Sequence, residues 1–200
     1  MDVREQEDEI WWTSYREGDE RSFERIYQLY YSQLANYGSK FTHDTGVIEE
    51  AVQDLFLKLW KNRDNIGTTP SVKHYLFKAF RRTLSRKLQK QDRFFLLPGN
   101  DNDLFFRFEL SQEQLLLRHE HLLELKKQVD NILSTLTNRQ REVIYLKFYE
   151  DLTYEEIADL LQMQVGGVYK LTYRALDRLR EHMGLLSLWL LLFCGPAKHA

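Results

Sequence analysis

The sequence predicts an all-α protein made of two small helical domains joined by a linker. Apolar residues recur at helical spacing over long segments, and no convincing run alternates between apolar and polar residues. The 200 residues include only three prolines and nine glycines, and one proline and one glycine cluster with Asn and Asp at residues 98–103, where the periodicity stops. We therefore expect domains at residues 1–93 and 111–183, a linker at 94–110 and an apolar tail at 184–200.

Charge is distributed unevenly along the chain, although the net charge is only −2. Residues 1–24 contain nine acidic and three basic residues, a net charge of −6, whereas residues 73–93 contain eight basic and one acidic, a net charge of +7. A local basic face is sufficient for phosphate binding, so the overall balance does not exclude a nucleic-acid partner.

Targeting and redox features point to the cytoplasm. The single cysteine, Cys194, excludes an intramolecular disulfide and a multi-cysteine zinc site. The acidic N-terminus lacks the pattern of a signal peptide. The apolar run at 185–194 would span ~15 Å as a helix, against a hydrocarbon core of ~30 Å. We expect a cytoplasmic protein without metal or cofactor.

The first two predicted helices are amphipathic and rich in aromatic residues. Ile10, Trp11, Trp12 and Tyr15 make a short amphipathic helix that Gly18 ends. A second helix extends to about residue 41, with a stripe of Phe23, Ile26, Tyr27, Tyr30, Leu34, Tyr37 and Phe41. Such a stripe serves either as a stacking platform or as core, and its helical spacing favours core.

The third predicted helix, at residues 47–62, follows a turn with a capping residue at 43–46. Its buried face is predicted to contain Ile48, Ala51, Val52, Leu55 and Leu59, with Phe56 and Trp60 at the margins. The opposite face is charged, as a solvated surface or a partner site would be; it comprises Glu49, Glu50, Gln53, Asp54, Lys58 and Lys61. Residues 62–71 are predicted to form a loop.

The fourth predicted helix, at residues 72–93, is strongly basic. Its apolar positions are Val72, Leu76, Ala79, Phe80 and Leu84, and its aromatic residues Tyr75, Phe77 and Phe80 are interleaved with cations. This mixture suits single-stranded nucleic acid, in which cations contact phosphates and rings stack on bases. The alternative is a basic surface helix that balances the acidic N-terminus.

The second domain is predicted to contain a helix-turn-helix. Helices are expected to begin after Ser111, Thr137 and Thr153, each followed three residues later by Gln or Glu in a capping box. Val143, Ile144 and Leu146 are expected in its core. After Thr153, an apolar series at Ile157, Ala158, Leu160 and Leu161 is followed by a break at 162–164 and a second series at Val165, Val168, Leu171, Ala175 and Leu179.

The last of these helices has an outer face suited to the DNA major groove. Tyrosines and cations there can hydrogen-bond base edges and neutralise phosphates. The face comprises Gly166, Tyr169, Lys170, Tyr173 and Asp177, flanked by Arg174 and Arg178. The alternative is an αα-hairpin within a helical bundle.

Four segments together resemble the extracytoplasmic-function group of sigma-70 family sigma factors, which direct bacterial RNA polymerase to promoters. They are FERIYQLYY at 23–31, AVQDLFLKLW at 51–60, YLFKAF at 75–80, and LTNRQREV at 136–143 leading into LTYEEIA at 152–158. Each segment is moderately specific, and their order and spacing are highly specific.

The resemblance implies a role for each domain and each set of residues. The first domain, sigma region 2, would bind the β′ clamp helices of core RNA polymerase through Gln53, Asp54 and Lys58. It would melt and read the minus-ten element through Asn65, Lys73, Lys78, Arg81, Arg82 and Arg86. The loop at 62–71 would hold a flipped base. The second domain, sigma region 4, would contact the β flap and read the minus-thirty-five element through Thr153, Tyr154, Gly166, Gly167, Tyr169, Lys170, Tyr173 and Arg174.

Two positions depart from the family pattern, and the tail lies outside the resemblance. Arg82 stands where many members have asparagine, and Gly166-Gly167 replaces bulkier residues. The two glycines let the backbone approach DNA closely or fray the first turn. The apolar tail would pack on the protein's own domains, dock on an anti-sigma factor or act as an autoinhibitory clasp.

Two other function classes compete with a sigma factor. One is an autonomous helix-turn-helix regulator with an N-terminal sensing or dimerising domain. The other is an enzyme acting on a small molecule, for which the sequence holds no H-E-x-x-H, G-x-S-x-G or P-loop motif. We expect a non-catalytic protein without a small-molecule substrate.

Overall fold

A computed structural model describes residues 3–91, 105–107, 130–131 and 133–182, excluding the side chains of 3–5, 91 and 182. The chain divides into two compact units, Met1–Leu104 and Phe105–Ala200. The described residues contain helices and no strand, which confirms the all-α prediction. The predicted helix start at Ser111, most of the predicted linker and the apolar tail with Cys194 lie outside the described residues.

Residues 3–91 of the first unit form four α-helices and one short 3₁₀ helix. They are α1 (Val3–Arg16), α2 (Glu20–Ser39), α3 (Thr45–Lys61), the 3₁₀ helix (Arg63–Asn65) and α4 (Val72–Gln91). The Asp19 carboxylate accepts a hydrogen bond from the Ser22 backbone N–H (3.0 Å) at the start of α2, and that of Asp44 accepts one from Val47 N–H (3.2 Å) at the start of α3. Gly18 separates α1 from α2 with φ of +97°, which favours glycine.

Aromatic side chains dominate the core of the first unit. Most of the predicted aromatic stripe is core: Phe23 and Tyr27 are half-buried, and the buried members are Ile26, Tyr30, Leu34, Tyr37 and Phe41. Helix α1 packs on α2 and α4, and the Tyr15 hydroxyl donates a hydrogen bond of 2.7 Å to the Leu59 carbonyl of α3. These interactions fix α1 against the helices that carry the candidate binding residues.

The prediction that aromatic residues of α4 stack on bases is wrong for Phe77 and Phe80, because both side chains are fully buried. The ring of Phe77 lies 5.3 Å from that of Tyr37, in the core. Phe56 is likewise buried (4% exposed), not marginal. The physical reason is that α4 packs on α1, α2 and α3 at once, so neighbouring helices cover more of its circumference than a single amphipathic face.

The second unit contains α5 (Asn138–Phe148), α6 (Tyr154–Leu161) and α7 (Val165–His182). Both predicted capping boxes are present, Thr137 with Gln140 and Thr153 with Glu156. Helix α6 ends at Gln162, which adopts φ of +55°. Helices α6 and α7 form the predicted helix-turn-helix.

The core of the second unit lies between α5, α6 and α7. Phe106, predicted as part of the linker, is fully buried with its ring 5.7 Å from that of Tyr145. The Tyr145 hydroxyl donates a buried hydrogen bond of 2.9 Å to Glu150 Oε1. The predicted core residues are buried, apart from Val165 and Leu171, which are half-buried; the buried ones are Val143, Ile144, Leu146, Ile157, Ala158, Leu160, Leu161, Val168, Ala175 and Leu179.

Candidate nucleic-acid interface

The outer face of α7 is accessible along most of its length. Tyr169 is 50% exposed and Tyr173 is 69% exposed, and Lys170 and Arg174 are exposed beside them. Lys170 and Arg174 can contact phosphates, while the tyrosine hydroxyls can donate to or accept from base edges. The structure brings these residues together on one face, as the helical spacing predicts.

One recognition-face tyrosine is held by a neighbouring helix. The rings of Tyr169 and Tyr154 lie 4.1 Å apart, which joins the start of α6 to the start of α7. Lys147 lies over the Tyr154 ring, with Nζ 5.1 Å from the ring centroid. The same ammonium donates to the Leu152 carbonyl at 3.1 Å. Sequence reasoning missed Lys147, because its interactions depend on the angle between helices.

The first turn of α7 is formed despite Gly166 and Gly167. The Gly167 N–H donates to the Gln164 carbonyl at 2.8 Å. Beyond its chain neighbours and the backbone of its own helix, a Cβ at Gly166 would meet no atom of the described residues within 4 Å, and one at Gly167 would meet only Met163 Cε at 3.4 Å. Packing inside the described protein therefore does not require glycine at either position, which leaves close approach to a ligand as a reason for it.

The N-terminus of α6 is exposed and tightly capped. Thr153 Oγ1 accepts a hydrogen bond from the Glu156 N–H at 3.1 Å, and Glu156 Oε2 accepts one from the Thr153 N–H at 2.8 Å. The first backbone N–H groups of a helix have no acceptor within the helix, and the capping box supplies one for the N–H of Glu156. The remaining N–H groups of the turn give this end a partial positive charge, which favours a phosphate.

The outer face of α3 carries the three predicted polymerase-binding residues and one residue that sequence reasoning missed. Gln53 and Lys58 are exposed and Asp54 is half-buried. Leu57 is 57% exposed, four residues after Gln53 and thus on the same side of the helix. A partner that docks on this face would cover the Leu57 side chain together with the polar groups beside it.

Lys87 of α4 connects α4 to α3 by ion pairs with Glu50 and Asp54. Its Nζ lies 2.9 Å from Asp54 Oδ2 and 3.1 Å from Glu50 Oε2. The hydrogen bond to Asp54 is the main cause that raises the pKa of Lys87 above its usual value. The lysine is therefore charged at neutral pH and neutralises part of the acidic charge on α3.

The predicted minus-ten residues differ in accessibility. Asn65, Arg82 and Arg86 are exposed, and Lys73 and Lys78 are half-buried. Arg81 is only 7% exposed, which corrects its predicted place among the accessible cations. It follows Phe77 by four residues and so lies on the buried stripe of α4.

A groove runs between α3 and α4 beside these residues. One stretch, of about 350 Å³, is bordered by Leu55, Leu59 and Ile66, with Arg82 and Arg86 among its other lining residues. A second stretch, of about 320 Å³, is lined by Asp54, Lys87 and Lys90 among others. Lys58, Thr83 and Arg86 line both. We call the two stretches together the α3/α4 groove.

The part of the chain that the structure describes offers no cluster of three or more His, Cys, Asp or Glu residues placed to hold a metal ion. None of its helices is both long and apolar enough to cross a membrane.

Family models match both units. The model described as Sigma-70 region 2 matches residues 26–94, and that described as Sigma-70, region 4 matches residues 126–179. Together they cover more than half of the chain, in the order that the sequence segments predict.

Similar proteins are also named RNA polymerase sigma factors, and the similarity extends over most of their length. The chain is 24% identical over 163 residues to RNA polymerase sigma factor YlaC of Bacillus subtilis, covering 81% of this chain and 92% of that protein. It is 26% identical over 172 residues to the ECF RNA polymerase sigma factor SigK of Mycolicibacterium vanbaalenii, covering 84% of each.

A solved structure shares the fold. The sigma factor RpoE from Bartonella quintana, in complex with the anti-sigma factor NepR, matches with a TM-score of 0.56 at 22% identity, covering 82% of this chain and 98% of that one. With both regions matched in order, the chain belongs to the sigma-70 family of RNA polymerase sigma factors.

Proposed function

We propose that this sigma factor divides promoter recognition between its two units. The first binds core RNA polymerase and melts the minus-ten element, and the second contacts the β flap and reads the minus-thirty-five element. The observation that carries the proposal is that sigma regions 2 and 4 both occur in this chain, each over helices that present an exposed polar face.

The polymerase-binding surface is proposed to be the outer face of α3. Gln53 and Asp54 supply polar groups there and Leu57 supplies an apolar one, to be covered by the β′ clamp helices. Interfaces of this composition place an apolar side chain among polar groups that fix the register. Lys58, predicted with this set, is exposed on the same helix and is proposed to take part in the same contact.

The DNA-binding residues are proposed to lie on α4 and the helix-turn-helix. Minus-ten binding is assigned to Asn65, Lys73, Lys78, Arg82 and Arg86. Minus-thirty-five binding is assigned to Thr153, Tyr154, Gly166, Gly167, Tyr169, Lys170, Tyr173 and Arg174. Arg81, predicted with the minus-ten set, is only 7% exposed and so offers less surface to a phosphate than the exposed Arg82 and Arg86.

The protein is proposed to act in the cytoplasm without catalytic groups of its own, under the control of an anti-sigma factor. The similarity to a sigma factor solved with its anti-sigma factor supports this regulation.

The test is transcription with purified core polymerase on a genomic promoter library. We expect discrete start sites that depend on adding the protein. Footprinting of duplex DNA by the protein alone, without promoter-specific transcripts when core is present, would instead support an autonomous helix-turn-helix regulator.

A further inference from the structure

The loop between α3 and α4 leaves regular secondary structure directly after Asn65. Asn65 is exposed at the end of the 3₁₀ helix, and residues 66–70 form neither helix nor strand. Backbone carbonyls in such a segment are not bonded in a helical or sheet ladder, so donors from outside the segment help to fix its conformation. The conformation of this loop therefore depends on what surrounds it.

Two side chains of α1 donate hydrogen bonds to consecutive carbonyls of the loop. Trp12 Nε1 donates to the Gly67 carbonyl at 3.2 Å, and Arg16 Nε donates to the Ile66 carbonyl. Trp12 and Arg16 are four residues apart, so they lie on the same face of the helix. Their acceptors lie 55 and 50 residues further along the chain. Helix α1 thus holds the loop at two adjacent points.

This face of α1 is itself fixed to the helices on either side of the loop. The Tyr15 hydroxyl donates to the Leu59 carbonyl in the last turn of α3 at 2.7 Å. The Trp12 ring meets the ring of Tyr75, in the first turn of α4, edge to face with centroids 5.0 Å apart. Trp12 and Tyr15 are both only 1% exposed. The donors to the loop are therefore carried by a firmly packed helix.

Side-chain packing does not replace these hydrogen bonds at residue 67. Beyond its chain neighbours, a Cβ added to Gly67 would meet no described atom within 4 Å. The bond from Arg16 has a charged donor, and such bonds contribute more than those between neutral groups. Removing the guanidinium should therefore release the loop more than removing the indole N–H.

We propose that Arg16 and Trp12 are positioning residues for minus-ten recognition. By holding the carbonyls of residues 66 and 67, they fix the loop in the conformation that presents Asn65 to the promoter. A loop already held in its binding conformation loses less conformational freedom when DNA binds. This inference rests on the proposed function, because it assigns α1 a task in the contact that Asn65 makes. Arg16 and Trp12 act through the loop and not by touching DNA.

The experiment measures promoter melting by the purified holoenzyme, using 2-aminopurine in the minus-ten region, which fluoresces when it is unstacked. Arg16→Met keeps the apolar stem and removes the donors, so it should slow melting roughly tenfold, the value of one hydrogen bond from a charged group. Arg16→Lys keeps a charged donor and should recover most of this loss. Trp12→Phe keeps a ring beside Tyr75 and loses a neutral donor, so it should slow melting roughly threefold.

Arg25→Met is the matched control. It makes the same change at an exposed arginine of α2 that donates no hydrogen bond to the loop in the described structure, and it should melt the promoter at the wild-type rate. Core polymerase affinity should stay within about twofold of the wild type in every variant, because Arg16 and Trp12 act on the promoter contact alone.

A double-mutant cycle with Asn65→Ala separates positioning from general stabilisation. If Arg16 acts through Asn65, the loss in Asn65→Ala already contains most of the loss in Arg16→Met. The double variant should then melt the promoter about as slowly as the slower single variant, roughly tenfold below the wild type. A residue that only stabilised the first unit would give multiplied losses of roughly 100-fold.

Three results would overturn the inference: wild-type melting by both Arg16→Met and Trp12→Phe, an equal loss in Arg25→Met, or multiplied losses in the double variant. The wild-type holoenzyme tests the proposed function separately, because a failure to melt any promoter would refute that function and this inference together. Normal melting by the wild type, with any of the three results above, refutes the role of α1 alone.

Discussion

Reversing the charge of Asp54 is expected to affect polymerase binding far more than folding. Within the protein, Asp54 makes an ion pair with Lys87 at 2.9 Å, and its side chain is 44% exposed. Exposed pairs of this kind contribute about 0.2–1 kcal/mol, so Asp54→Arg should lower the melting temperature by at most about 4–8 °C. A charged group covered in an interface is worth about 2–5 kcal/mol, or roughly 30-fold to several thousand-fold in affinity.

The assay compares core polymerase affinity, measured with a labelled protein, with thermal unfolding of the same samples. Glu24→Arg is the control, because Glu24 is an exposed acid of α2 whose side chain accepts a hydrogen bond from Gln28 and lies outside the proposed interface. It should leave core affinity unchanged. If Asp54→Arg bound core within about twofold of the wild type, the α3 face would not be the polymerase-binding surface.

Four further outcomes are expected. Lys170→Ala and Tyr173→Ala should each reduce minus-thirty-five discrimination by ~1–3 kcal/mol, the value of one good hydrogen-bonded base, and unaltered promoter choice in run-off transcription would exclude this face as the reader. Thr137→Ala should destabilise the protein by ~1 kcal/mol in chemical denaturation, because it removes the cap of α5, and Thr137→Ser should restore most of it. Burial raises the pKa of Tyr149 from 10.0 to about 12, so the stability that this group contributes below pH 10 is lost as the pH rises from 10 to 12. The free energy of unfolding of Tyr149→Phe should therefore fall less steeply over this pH range than that of the wild type. Gly166→Ala should raise the free energy of unfolding by up to ~1 kcal/mol, because the added Cβ meets no neighbour. A lower free energy of unfolding in the variant would contradict this expectation, because it would show strain at residue 166.

Local chemistry made the helix starts of the second unit predictable. A threonine followed three residues later by Gln or Glu satisfies two backbone N–H groups within four residues, without help from the rest of the fold. Both such boxes, at Thr137 and Thr153, are formed. The recognition face of α7 followed from the same kind of local rule, because helical spacing alone determines which residues share a side.

The errors arose where several helices cover one element. Phe77 and Arg81 lie on the same stripe of α4, and the sequence placed both beside accessible cations. Hydrophobic spacing locates the main buried face of a helix but does not tell how many neighbours surround it. Leu57 shows the opposite error. An apolar residue is expected to be buried, but Leu57 is 57% exposed because no described helix of the first unit covers it.

Neither nucleic-acid surface has many charges, and this has a consequence for how a promoter is bound. The α7 face offers Lys170 and Arg174 beside the acidic Asp177, and the exposed minus-ten cations of α4 are Arg82 and Arg86. Each neutralised phosphate adds only a limited, salt-sensitive increment to the affinity for DNA, so either surface alone should bind DNA weakly at physiological salt. When both units are held on one polymerase, binding by the first raises the effective concentration of promoter at the second, so two weak interactions combine into a strong one. A sigma factor built in this way would stay off DNA when free and select promoters only as part of the holoenzyme.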